Sequence, residues 1–97
     1  MPIYISLNNF TDQGIRKLKD TTKRADAVRE MAKKFGVTFK DIYWTLGNYD
    51  MVSILAAPDD TSMAALQASI GAAGNVRTLT LRAFSQADMK GILAKLG

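Results

Sequence analysis

Asp41-Ile42-Tyr43-Trp44-Thr45-Leu46-Gly47-Asn48-Tyr49-Asp50-Met51-Val52-Ser53-Ile54-Leu55-Ala56 is the stretch whose reading decides the fold. Two apolar runs flank Gly47-Asn48, and both of these residues tolerate the positive φ that a tight hairpin turn requires. The stretch therefore reads as a β-hairpin at the centre of the chain. Tyr49 and Asp50 add a phenol and a carboxylate at its tip, which a plain turn does not need.

Toward the N-terminus, Ile3, Ile5 and Leu7 alternate with Tyr4, Ser6 and Asn8, the period of a strand. Thr11-Asp12-Gln13-Gly14 breaks it, and a short turn or helical piece follows. Ala25, Val28, Met31, Ala32 and Phe35 recur at helical spacing. Asp20, Thr21 and Thr22 are candidate caps for that helix, and Gly36 stands at its C-terminal stop. Val37 to Leu46 and Met51 to Ala57 are the hairpin strands. Pro58 ends the second, and Asp59 or Asp60 caps a helix with Met63, Leu66 and Ile70 on its inner stripe. Val76 to Phe84 is a fourth strand. Ser85 and Asp88 resemble a capping box opening a last helix, with Met89, Ile92, Leu93 and Leu96 as its stripe.

The order is β-α-β-β-α-β plus a C-terminal helix. This predicts an α+β, ferredoxin-like domain over residues 1–97, with a four-stranded antiparallel sheet. The first and third strands are expected at the centre, running parallel, with both crossover helices on one face. No linker, repeat or low-complexity segment interrupts the chain.

The chain has 97 residues, 47% hydrophobic and 23% charged, with no cysteine and no histidine. One small soluble domain is expected. Missing cysteine removes disulfides, thiolate nucleophiles and zinc-thiolate sites; missing histidine removes the commonest general base and metal ligand. No metal and no cofactor is expected. No run approaches the roughly 20 apolar residues of a membrane span, and the N-terminus shows no signal-peptide pattern. A cytoplasmic location is expected.

The net charge is +4. Arg16, Lys17, Lys19, Lys23, Arg24, Arg29, Lys33 and Lys34 cluster, interrupted by Asp20, Asp26 and Glu30. The plain reading is a solvated helix face with local ion pairs. The sharper one is a patch for an anionic or nucleic-acid partner.

Alternation sorts the strand residues into two sets. Polarity assigns Ile3, Ile5, Leu7, Ile42, Trp44, Leu46, Val52, Ile54, Leu79 and Leu81 to the helix-covered face. Tyr4, Ser6, Asn8, Tyr43, Thr45, Ser53, Leu55, Thr78, Thr80 and Arg82 are then left on an open face; a bulge would reverse the assignment on its strand. A semi-polar open face predicts pairing with a second copy, with a small organic molecule held at that face or at the subunit interface. The ligand-binding candidates are Tyr4, Ser6, Asn8, Tyr43, Tyr49, Asp50, Thr78 and Arg82. A cofactor-independent enzyme using Tyr49, Asp50 or Arg82 for proton transfer or oxyanion binding is the alternative. Asp50 as a turn acceptor, Tyr49 as end packing and Arg82 in an interface ion pair are the structural readings of the same residues.

Three segments resemble the GYD-domain proteins: Tyr4 to Gly14, Asp41 to Asp50, and Gly74-Asn75-Val76-Arg77-Thr78. The signature stands here as Gly-x-Tyr-Asp, with Asn48 between Gly47 and Tyr49-Asp50. The resemblance implies a small bacterial or archaeal domain of unestablished role. It further implies kinship with the dimeric α/β-barrel group, in which two ferredoxin-like units pack sheet to sheet. That group holds cofactor-free oxygenases, haem enzymes, isomerase-like proteins and ligand-sensing regulators. The missing histidine argues against the histidine-dependent ones.

Overall fold

The computed structural model describes residues 1–97. Strands β1 (Ile3–Phe10), β2 (Thr38–Trp44), β3 (Met51–Ala56) and β4 (Val76–Ala83) form one sheet in the order β2-β3-β1-β4. Helix α1 (Asp12–Arg16) is one short turn. Helices α2 (Thr21–Ala32) and α3 (Asp60–Ala73) are the crossovers, and α4 (Gln86–Ala94) follows the last strand.

β1 and β3 are the central pair, but they run antiparallel, with Tyr4 opposite Leu55 and Ser6 opposite Ser53. The expected parallel pairing is corrected by the hairpin. β3 turns back on β2, and β2 shares the direction of β1, so β3 must oppose both.

The helix ends follow local chemistry. Asp59 accepts the Ser62 N–H at 2.8 Å and caps α3. Ser85 and Asp88 form a reciprocal capping box at α4. Gly36, after the 3-10 turn that extends α2, and Gly74, after α3, take left-handed conformations at φ 71° and 82°. α2 differs: Asp20 precedes it without a side-chain bond, because a 3-10 turn at Leu18–Asp20 feeds directly into it.

The core joins Tyr4, Leu55, Val37 and Ala57 to Ala32, Met63 and Leu66. It identifies the covered face, and this corrects the assignment made from polarity. The helices lie over Tyr4, Ser6, Asn8, Ser53, Leu55, Thr78, Thr80 and Arg82, not over the aliphatic set. Ile3, Ile5, Leu7, Val52, Ile54, Leu79 and Leu81 form the open face instead.

β2 alone keeps its predicted orientation. Ile42 and Trp44 stand opposite Ser53 and Met51 on the covered side, while Tyr43 stands opposite Val52 on the open one. A register shift between Phe39 and Asp41 brings Phe39 to the covered side as well, opposite Leu55. Trp44 is not core: it is 43% exposed, and its indole N–H donates to Thr21 Oγ1 at 3.0 Å. Leu46 lies outside the strand and is fully exposed.

α4 has almost no packing against the other elements. It leaves Met89 and Leu93 largely bare, as is Leu96 just past its end. The domain is elongated, 52 × 31 × 18 Å. No helix is long and apolar enough to cross a membrane.

Candidate functional site

Between the covered sheet face and α2 and α3 lies a cavity of about 100 Å³. Its polar lining from the sheet comes from Ser6 and Asn8 on β1, Ser53 on β3 and Thr78 on β4. Strand register explains the grouping. Ser6 is opposite Ser53 and Asn8 is opposite Thr78, so two successive same-face rows of the three adjacent strands present hydroxyls and an amide to the same space. Val28, Phe39, Ile42, Met51 and Ile70 supply apolar walls.

Ser6, Asn8 and Ser53 are all buried. Ser6 Oγ donates to Asn8 Oδ1 at 3.0 Å. The Asn8 amide nitrogen reaches only the Ser6 carbonyl, at 3.5 Å, the limit of a hydrogen bond. Buried polar groups with spare capacity around a void suit a ligand that brings its own donors and acceptors.

Among the residues singled out from the sequence, Ser6, Asn8 and Thr78 meet here, although under the helices rather than on an open face. Tyr43 lies on the open side of the sheet, 53% exposed. Tyr4 and Arg82 form a separate cluster. The Tyr4 phenol donates to Asp60, and that bond, with burial, raises its pKa above the ordinary tyrosine value. The Arg82 guanidinium lies 5.6 Å from the Tyr4 ring centre and 4.6 Å from that of Phe84, and it donates to the carbonyls of Ile3 and Ala83.

Tyr49 and Asp50 serve the hairpin. Asp50 Oδ2 accepts the Phe10 N–H at 2.9 Å, and the Asp50 N–H donates to the Asn8 carbonyl at 2.9 Å. The Tyr49 carbonyl accepts from Thr45 Oγ1 at 2.5 Å. Neither residue lines the cavity. Tyr49, Asp50 and Arg82 all lie outside the lining of this cavity.

These bonds, one positive φ and one close approach explain the motifs. Gly47 has φ 101° and no neighbour that a Cβ would meet, so the turn needs its conformation rather than its size. Gly14 is the opposite case: a Cβ there would lie 1.9 Å from the Asn75 carbonyl oxygen. The Thr11 N–H donates to that same oxygen at 3.1 Å, and Thr11 Oγ1 donates to the Gly74 carbonyl at 2.6 Å. The three segments that carry the resemblance are thus tied together by main-chain contacts around the ends of β1, β3 and β4.

The GYD domain model matches residues 4–93. The chain belongs to the GYD-domain family. One curated relative, from Thermus thermophilus, is 34% identical over 90 residues, covering 92% of this chain and 95% of that protein. It carries the name glutamine synthetase and cystathionine beta-lyase binding protein. No solved structure matches the chain.

Arg24 is the lining residue that sequence reasoning passes over. In the GYD domain it belongs to α2, and the charge pattern groups it with the solvated basic run. It instead lines the cavity with Thr21, Ala25 and Val28. The signal is present in the sequence: these four positions follow the spacing i, i+3, i+4, i+7 of one helix face. Other members of the run also have partners within the chain. Arg29 donates to the Phe39 carbonyl at 3.1 Å, and Lys33 pairs with Glu30 at 2.7 Å. The latter pair is largely exposed and adds little stability.

Proposed function

We propose that this GYD domain is a binding module that pairs with a second copy and holds a small organic molecule in the cavity beneath α2 and α3. The observation that carries the ligand reading is the cluster of Ser6, Asn8, Ser53 and Thr78 facing a void with apolar walls. Burying polar groups has a desolvation cost that a polar ligand in the void would offset.

The pairing rests on the open face. Ile3, Ile5, Leu7, Val52, Ile54, Leu79 and Leu81 share it, with Leu79 at 50% and Leu81 at 45% exposure. Only 12 of 97 residues are buried, so the isolated fold has a thin core and much to gain by covering this face. A flat aliphatic surface is matched by its own copy in an isologous pair. The kinship with sheet-to-sheet dimers points the same way.

Native mass spectrometry tests both parts. The protein is expected as a dimer or a higher even assembly that retains a small adduct. Leu81→Glu should release monomers. Ser53→Trp should fill the cavity and expel the adduct with the assembly intact. A wild-type monomer at tens of micromolar would refute the pairing, and an adduct undisturbed by Ser53→Trp would refute the site.

A second reading is favoured by α4. Its exposed Met89 and Leu93, with Leu96 just beyond its end, form an apolar stripe on an element that packs against almost nothing. A nine-residue helix is marginal alone in water, and docking on another surface would stabilise it. The name of the Thermus relative suggests protein partners for this stripe. Biolayer interferometry against purified glutamine synthetase and cystathionine β-lyase is the test. Binding abolished by Leu93→Glu supports the reading; absence of binding to either enzyme removes it.

A further inference from the structure

The cavity has a feature that restricts what it can hold: its lining contains one ionisable residue, Arg24, and no carboxylate. Arg24 is half-buried. Its guanidinium donates to two main-chain carbonyls, Nη1 to Lys17 at 2.8 Å and Nη2 to Gly14 at 3.2 Å. Neither acceptor carries a formal charge. The salt bridge of the chain lies elsewhere, between Lys33 and Glu30. Arg24 thus contributes to a mostly apolar lining, and its charge has no counter-ion within the chain.

The two carbonyls also hold the planar fork in place. A guanidinium carries five N–H donors, so donors remain for further acceptors. A fixed cationic fork at the margin of an apolar space recognises a planar anion in two-point fashion. The neutral groups at Asn8, Ser53 and Thr78 add no repulsion and accommodate further polar atoms.

We infer that the cavity takes a small organic carboxylate, with the carboxylate on Arg24 and a short apolar body between Val28, Phe39, Ile42 and Met51. This rests on the reading of the cavity as a ligand site. Size limits the body: a cavity of about 150 Å³ accommodates benzene, and this one is about 100 Å³. The enclosed part therefore takes less than a full ring: a short branched chain, or a single ring that protrudes through the opening. Inorganic phosphate has the charge but no apolar body, so it would leave the walls uncovered.

The test is an amide NMR titration of the intact protein with benzoate, its uncharged analogue benzamide, and inorganic phosphate at neutral pH. Benzoate should shift the amides of Val28, Asn8 and Ser53 and bind at least about tenfold more tightly than benzamide, as expected for a charge-assisted contact. Arg24→Gln should lower benzoate affinity by roughly ten- to a hundredfold, to the level of benzamide. Arg24→Lys, which keeps the charge and loses the fork, should fall between them, and it decides the matter if Arg24→Gln fails to fold. Equal binding of benzoate and benzamide in the cavity would overturn the carboxylate inference and leave the cavity reading standing. Phosphate binding as tightly as benzoate at the same amides would overturn the requirement for an apolar body. Absence of shifts at these amides with every probe would overturn both the inference and the cavity reading.

Discussion

The Asp50 carboxylate accepts the main-chain N–H of Phe10 at 2.9 Å, across 40 residues of sequence. The bond ties the β2–β3 turn to the end of β1. The Asp50 N–H reinforces it by donating to the Asn8 carbonyl, and its carbonyl accepts from the Thr45 N–H. The Asp of the family signature is therefore a clamp on the central strand, one residue row away from the cavity floor at Asn8.

Asp50→Ala should destabilise the fold by about 1 kcal/mol, the low end of the cost of leaving a donor without its acceptor, because the bond is only partly buried. Asp50→Asn keeps an acceptor oxygen and should cost less. Urea unfolding of the two variants measures the difference. Equal stability of Asp50→Ala and wild type would mean that the clamp contributes nothing.

Gly14→Ala should be more damaging than its single methyl group suggests. The added carbon would overlap the Asn75 carbonyl oxygen, which is rigid main chain already bonded to the Thr11 N–H. Overpacking of this kind costs about 1–3 kcal/mol. Gly91→Ala on α4, where a Cβ meets nothing, is the control and should be neutral or mildly stabilising. Thermal melts of the pair should separate by several degrees.

Two caps set an acid limit. The Ser62 N–H bonds to Asp59 and the Ser85 N–H bonds to Asp88, and each lowers the carboxyl pKa below its ordinary value. A depressed folded-state pKa means stability that is fully present above the ordinary carboxylate pKa and is lost as pH falls through the depressed one. Urea midpoints should therefore decline below about pH 4. Asp59→Asn should flatten that decline. An unchanged slope would show that Asp59 does not contribute.

Tyr4 should report the opposite sign at high pH. Its phenol donates to Asp60 and is buried, and both effects keep it protonated above the usual range. The contribution of that bond is complete below the ordinary tyrosine pKa and is lost as pH rises through the raised folded-state value. Absorbance at 295 nm should show the Tyr4 phenol titrating above the ordinary tyrosine range, and Asp60→Asn should bring it back toward that range.

The elements are largely legible in the sequence because each rests on local physics. The alternation of Ile3, Ile5 and Leu7, the stripe from Ala25 to Phe35, and the caps at Asp59 and Ser85 all state their structure within a few residues. The cavity is half legible. Ser6, Asn8 and Thr78 stand out as polar atoms inside strands, but Arg24 is hidden in a run of other cations, and only its helical phase distinguishes it.

From the sequence alone come the element order, the hairpin, the family and the sorting of strand residues into two sets. Sequence period cannot say which set the helices cover, since a pleated strand presents both sides equally. Polarity points to Ile3, Ile5 and Leu7, and the fold places the helices over Tyr4, Ser6 and Asn8 instead. The physical reason is that the crossover connections choose the face: once the direction of β1 and β2 and the hand of the connection are set, α2 and α3 can lie on one side only. Tertiary structure thereby turns an expected outer surface into the floor of a cavity, and leaves the aliphatic face for a partner.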